Sequence, residues 1–402
     1  MYFRTRIVFN WHLLFLGFIL LLQFSSVNAV QYAIESDVAA RVEYNDNIFV
    51  TSEPHDSVYG LTIIPKAKMV AKEANWETFL KGKLRSNNYS DHNLDSNDIY
   101  LDASGDYRME LNVFTLTGLY HMDSNLNALS TDFGLTGRRV NRKLWSIVPQ
   151  YQRLLTERLS FFASYNHTDV DYIDAEDTGY VPYSTDTLSG SFVYGLTERD
   201  KLSFILQATD YASKNGALEY QLFISRVGIE HNLSEIWSVD INVGGSRRNS
   251  SNQFTQLDGE LITFDSSDKG YVLDAGFARK METGSLSGQI SRDYVPNSFG
   301  GLNVVDTLRF GVGQNMSALW RYNIDARYEK IDAANAVTRS TDREVLFFEP
   351  RIFYKIDRHW TANASYRYIQ RKFKSDTSDD RAPHSNRIYI GMTYNFPDIS
   401  TF

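Results

Sequence analysis

The stretch Arg387-Ile388-Tyr389-Ile390-Gly391-Met392-Thr393-Tyr394-Asn395-Phe396 alternates strictly between two chemistries. Ile388, Ile390, Met392, Tyr394 and Phe396 fall on one side, and Arg387, Tyr389, Gly391, Thr393 and Asn395 on the other, as the two-residue period of a β-strand requires. The first side stays apolar for five positions, about the height of the hydrocarbon band that a tilted strand must cross in a membrane. Two stretches upstream repeat the pattern. Trp320, Tyr322, Ile324, Ala326 and Tyr328 oppose Arg321, Asn323, Asp325, Arg327 and Glu329, and Trp360, Ala362, Ala364, Tyr366 and Tyr368 oppose Thr361, Asn363, Ser365 and Arg367. Alternation alone also fits a half-buried soluble sheet. The charge carried by the second side favours strands that separate oil from water.

Working outward, the chain from Gln31 onward repeats one unit: an alternating segment of ten to fifteen residues, a short turn, a second segment and a longer polar loop. Short turns include Lys72-Glu73-Ala74-Asn75, Leu155-Thr156-Glu157-Arg158, Leu196-Thr197-Glu198-Arg199-Asp200 and Ile356-Asp357-Arg358. Loops rich in Asp, Asn, Ser and Gly fall near 49–56, 88–97, 124–141, 171–183, 212–218, 249–268, 295–301, 332–342 and 375–384. Short and long connections alternate, as they do in outer-membrane barrels with short periplasmic turns and long outer loops. The expectation is an all-β, transmembrane, antiparallel up-and-down barrel of about 18 strands (about 16–20). A propeller would also repeat at about 40 residues, but no blade signature accompanies the repeat.

The first 29 residues carry Arg4 and Arg6 without an acid, an apolar run from Leu13 to Leu22, and Val27 and Ala29 at cleavage-site spacing. They read as a Sec signal peptide removed after Ala29, leaving 30–402 as one barrel domain. The uninterrupted apolar core, about ten residues, is short of the ~20 that a spanning helix needs. The composition has 14% aromatic residues and no Cys. Aromatic girdles use Tyr, Phe and Trp in this way, although a soluble exported β-protein is also compatible with it. Net charge is −8, and about −10 without the leader, which argues against a nucleic-acid binder.

Trp76, Trp237, Trp320 and Trp360 each follow a short turn on the apolar side of their segment. That shared position suits a girdle at one membrane boundary, where the ring is apolar and the N–H needs a wet partner. Four core tryptophans would have no reason to share it. Pro65 and Pro350 fall mid-segment and should produce bulges, since each removes a ladder donor.

The opening segment Arg41-Val42-Glu43-Tyr44-Asn45-Asp46-Asn47-Ile48-Phe49, followed by Ile63-Ile64-Pro65, resembles the type 2 family of β-barrel porins from Gram-negative bacteria, some encoded beside exopolysaccharide gene clusters. Arg387 to Phe396 is similar to the terminal strand by which such proteins are recognised for assembly. There the assembly signal would be Ile390, Met392, Tyr394 and Phe396, or would end on Phe402, because Pro397 to Thr401 intervene. The resemblance implies an outer-membrane barrel that moves solutes, with the barrel assembly machinery, outer-membrane lipid and lipopolysaccharide, and polysaccharide-export components as partners. It implies no catalytic residues.

The residues themselves agree on chemistry. The sequence has no nucleophile elbow, phosphate loop or His-Glu-x-x-His, and the histidines are scattered rather than clustered as metal ligands. No enzyme, cofactor or metal is expected, although Ser, His and Asp from separate strands could still assemble a hydrolase. Charge is more informative. Lys66, Lys68 and Lys72 share one side of their segment, as do Lys81, Lys83 and Arg85 of the next. From the other end come Arg321, Arg327, Arg351, Lys355, Arg367 and Arg387, and closure would bring them beside Arg41. Such a wall would attract anions; alternatively the charges solvate a wide lumen and pair with Glu77, Asp325, Glu329 and Glu349. The function expected is a porin-like channel for small or anionic solutes, or an aid to exopolysaccharide export. Alternatives are an adhesive barrel that binds polysaccharide through its loops and an outer-membrane hydrolase.

Overall fold

In a computed structural model, the described residues are 30–52, 56–126, 138–255, 261–334, 342–373 and 382–400. Residues 1–29, expected as a signal peptide, and Phe402 lie outside them, as do Asp376, Asp379 and Asp380 of the last long loop. Eighteen long strands run in sequence: β1 (Gln31–Asn45), β2 (Val58–Glu73), β3 (Trp76–Tyr89), β4 (Ser96–Arg108), β5 (Asn112–Ser124), β6 (Asn141–Thr156), β7 (Leu159–Ile173), β8 (Tyr183–Gly195), β9 (Asp200–Ser213), β10 (Leu218–Asn232), β11 (Trp237–Thr255), β12 (Leu261–Met281), β13 (Gly284–Pro296), β14 (Leu302–Asn315), β15 (Trp320–Ala333), β16 (Arg343–Lys355), β17 (Trp360–Phe373) and β18 (His384–Asn395). A two-residue β19 (Ile399–Ser400) follows. Each strand pairs antiparallel with its sequence neighbours, and β1 pairs with β18, which closes the ring.

The pairings accumulate a stagger of about 22 residues around the ring. With ~4.8 Å between strands and ~3.3 Å per residue, that stagger sets a tilt of about 40° and a backbone cylinder about 35 Å across. This is an outer-membrane type of barrel. Its outside carries the apolar residues, among them Leu80 at 55%, Leu188 at 61% and Ile390 at 60% exposure. Leaving such side chains bare is tolerable only against lipid.

The turn sequences explain where the tryptophans sit. Ser234 Oγ accepts from the Trp237 N–H, Ser317 Oγ from that of Trp320 and Asp357 Oδ1 from that of Trp360. A short polar side chain three residues back thus substitutes for a backbone partner and closes the turn. At Trp76 the acceptor is again three back, Glu73 Oε2, but the donor is the indole N–H at 2.7 Å. In the Asp357 turn, the His359 and Trp360 N–H groups hold the carboxyl below its usual range. Strand register turns all four indoles outward at the short-turn end.

Two expectations need correction. Pro65 and Pro350 create no bulge, because the register is the same on both sides of each. The ladder merely skips two residues toward the next strand, and Pro149 does the same. A missing N–H on a lipid-facing proline removes one hydrogen bond without forcing an extra residue into the strand. The stretch 249–268 is mostly strand rather than loop, since β11 and β12 stay paired as far as Thr255 and Leu261. A one-residue shift does occur past Phe396: Asp37 pairs with Asn395, but Ile34 pairs with Ile399. Pro397, lacking a donor, sits in that interruption, and β19 resumes the terminal strand beyond it.

Candidate functional site: the lumen

Side chains of residues paired across neighbouring strands share a face. The outward Ile388, Ile390 and Met392 therefore fix the inward set around the whole ring. By this register Arg41, Lys66, Lys68, Lys81, Lys83 and Arg85 face the interior from β1 to β3. Arg321, Arg327, Arg351, Arg367 and Arg387 do so from β15 to β18. Closure of β18 on β1 makes these two groups adjacent, with Arg41 opposite Gly391. Lys72 and Lys355 share the inward register.

The interior charges are organised rather than merely dispersed. On β2 and β3, Lys66 lies directly opposite Lys83 and Lys68 directly opposite Lys81. Like charges at such positions destabilise a sheet. Lys66 is offset by Asp37 at 2.9 Å and Lys81 by Asp102 at 4.0 Å, while Lys83 sits over the Tyr100 ring, 3.7 Å from its centroid. Around β15 to β17, Arg351 meets Asp325 at 2.7 Å and Arg367 meets Glu349 at 3.0 Å. At the closing seam, Arg387 of β18 bonds the fully buried Glu43 carboxylate of β1 and donates to Tyr89 Oη of β3 at 3.0 Å. Part of the cationic array is therefore structural, as the pairing alternative expected for Asp325, Glu329 and Glu349.

Burial grades along the lumen. Inward residues near the short turns are partly exposed, whereas those near the long loops are buried, as at Tyr89, Asp98, Val170, Tyr220 and Val305. Loops cause this by crossing the mouth. The Val181 N–H of the β7–β8 loop donates to Ser298 O of the β13–β14 loop at 2.7 Å, although six strands separate them along the wall. Tyr180 meets Phe299 edge-on at 5.5 Å between centroids. Arg248 of β11 reaches Ala334 O at 2.9 Å, and Arg371 of β17 reaches Phe49 O at 3.1 Å. A buried aromatic and aliphatic cluster of Tyr183, Tyr211, Tyr220, Leu222, Val272 and Leu302 underlies these chords.

Sequence reasoning missed this inward packing. The available clue was Phe49, Tyr180 and Phe299 in otherwise polar loops, since an aromatic in a solvated loop has nothing to bury against. Asp98, just past the polar stretch 88–97, is an inward residue of β4, 3.9 Å from Arg85.

No known family model matches the sequence, and no curated protein matches it. Among solved structures, the chain is similar to OpdK of Pseudomonas aeruginosa with vanillate, at 9% identity over 91% of this chain and 98% of that one, TM-score 0.47. It is also similar to OccK2 (OpdF) of Pseudomonas aeruginosa in complex with glucuronate, at 10% identity over 90% and 98%, TM-score 0.47. The FrpB iron transporter of Neisseria meningitidis superposes with TM-score 0.46 at 10% identity, over 90% and 81%.

Proposed function

We propose that this barrel is a porin-like outer-membrane channel that passes small anionic solutes, with exopolysaccharide export as the setting that the family resemblance suggests. The observation that carries the reading is the pair of lysine couples, Lys66 with Lys83 and Lys68 with Lys81. Repulsion between facing ammonium groups costs stability and adds nothing to packing; a passing carboxylate or phosphate would offset it. Asp37 and Asp102 compensate only part of that charge. The opposite wall supports the same reading. There the carboxylates of Asp240 and Asp274 hold the inward register, so a field runs across the lumen and concentrates anions along one side. Lipid, lipopolysaccharide and the barrel assembly machinery are the partners of this reading.

Reconstitution in planar bilayers tests it. Purified protein should open discrete conductances whose reversal potential in a salt gradient shows preference for chloride over potassium. A cation-preferring conductance refutes the anion reading. The loop chords across the mouth favour a second reading, a barrel whose outer end is packed shut and whose loops bind surface polysaccharide. Absence of any conductance from correctly folded protein would select it.

A further inference from the structure

On the outer wall the lipid-facing surface ends in a defined order. One row across β8 to β12 reads Gly190, Leu206, Ser225, Gly245, Tyr271, and the next row outward reads Leu188, Ala208, Phe223, Arg247, Lys269. The row beyond that is polar, with Asp210, Gln221, Asn249 and Ser267. Arg247 and Lys269 are thus paired side by side where hydrocarbon gives way to water. Both are exposed, and neither has an ion-pair partner among the described residues. Several other outward cations toward the long loops are matched: Arg292 lies 3.2 Å from Asp306, Lys214 is 2.7 Å from Asp171 and Lys330 is 2.8 Å from Asp332.

Directly below the two cations the wall is hollow. Ser225 and Gly245 form the floor, and no atom lies within 4 Å of where a Gly245 side chain would begin. Leu206, Phe223 and Leu188 rise around it, to enclose a groove of about 630 Å³. Val227 and Val243, 56% and 51% exposed, continue the apolar surface downward.

We propose that this groove is a docking site for a phosphorylated acyl lipid of the outer leaflet, with a lipid A phosphate held between Arg247 and Lys269 and an acyl chain lying over Ser225 and Gly245. The occupant follows from the order of the rows. Paired cations facing lipid at headgroup depth want an anion that is itself anchored in lipid, and Arg in particular forks onto phosphate oxygens. A free anion would need only the cations, and an uncharged lipid only the hollow. The site lies on the outside of the wall, so it is independent of whether the lumen conducts.

The test uses the full-length protein in detergent, with bisphosphorylated lipid A, its dephosphorylated form and inorganic phosphate as probes, and native mass spectrometry as the readout. Lipid A should bind the unaltered barrel, and Arg247→Gln with Lys269→Gln should weaken it about tenfold, the scale of losing two charge-assisted contacts. Gly245→Leu, which fills the floor and leaves both charges, should weaken it several-fold. Dephosphorylated lipid A should bind the unaltered barrel only as weakly as lipid A binds the double variant. Equal lipid A binding by the double variant and the unaltered barrel overturns the proposal. So does full displacement of lipid A by millimolar inorganic phosphate, which would mark a simple anion site. Both variants are on the exposed face, and heat-modifiable migration confirms their fold.

Discussion

Replacing Lys68, Lys81 and Lys83 together by Glu changes the interior charge by six units while leaving the Lys66–Asp37 and Arg85–Asp98 pairs in place. With a backbone radius near 17 Å and side chains reaching ~6 Å inward, each charge lies about 10 Å from the axis. A unit charge at that distance in water contributes about 0.4 kcal/mol unscreened, and about 0.15 kcal/mol at 0.1 M salt, where the Debye length is also ~10 Å. Six units give about 0.9 kcal/mol, with opposite sign for anion and cation, so the permeability ratio should move about 20-fold toward cations at 0.1 M. At 1 M the screening length falls to ~3 Å, and the same substitution should move the ratio less than twofold. Reversal potentials in planar bilayers at the two salt concentrations measure both numbers. A change under twofold at 0.1 M, or one equally large at both concentrations, would refute the assignment of these lysines to the conducting path.

Further outcomes follow from named contacts. Arg387→Ala leaves the buried Glu43 carboxylate with only the Arg41 cation beside it, 4.0 Å away, at a cost of about 3 kcal/mol. The barrel should then lose its heat-resistant gel band at a lower temperature, and adding Glu43→Gln should restore part of the loss. Phe299→Ala with Tyr180→Ala removes the aromatic contact across the mouth, and single-channel conductance should rise relative to the parent. Gly270→Ala sets a Cβ 2.1 Å from Tyr294 Oη, so that hydroxyl must swing away from the Ser246 Oγ that donates to it, and the stability of the band should fall modestly. By contrast Gly245→Ala, which meets nothing within 4 Å, should leave it unchanged.

Most of the wall was legible because the two-residue period is rigid. Once Ile388 faces lipid, every paired residue around the ring has an assigned side, and the lysines and arginines read from the sequence take the inward register. The tryptophan positions were legible for a related reason, since the Ser or Asp three residues earlier sets the turn. What period two cannot convey is how far a strand extends once it leaves the membrane. Beyond the hydrocarbon band both faces of β11 and β12 are polar, so Asn249, Ser251, Asp265 and Ser267 read as loop. Nor could it reveal that Phe49, Tyr180 and Phe299 turn back over the lumen, because contacts such as Val181 with Ser298 join loops far apart in sequence and carry no local pattern. The ion pairs lie between these extremes: Asp325 and Glu349 were expected as partners, but the burial of Glu43 under Arg387 depends on the seam.

That seam has a consequence for the order in which the molecule comes together. Every other strand pair is joined by a local hairpin, but Glu43 and Arg387 stand 344 positions apart. Closing a flexible span of that length costs about 5 kcal/mol in chain entropy, against almost nothing for a short turn. The first and final staves of the cask can therefore meet only after those between them are set, and heat should part them there first. The ion pair is placed where the structure is hardest to complete and most readily undone.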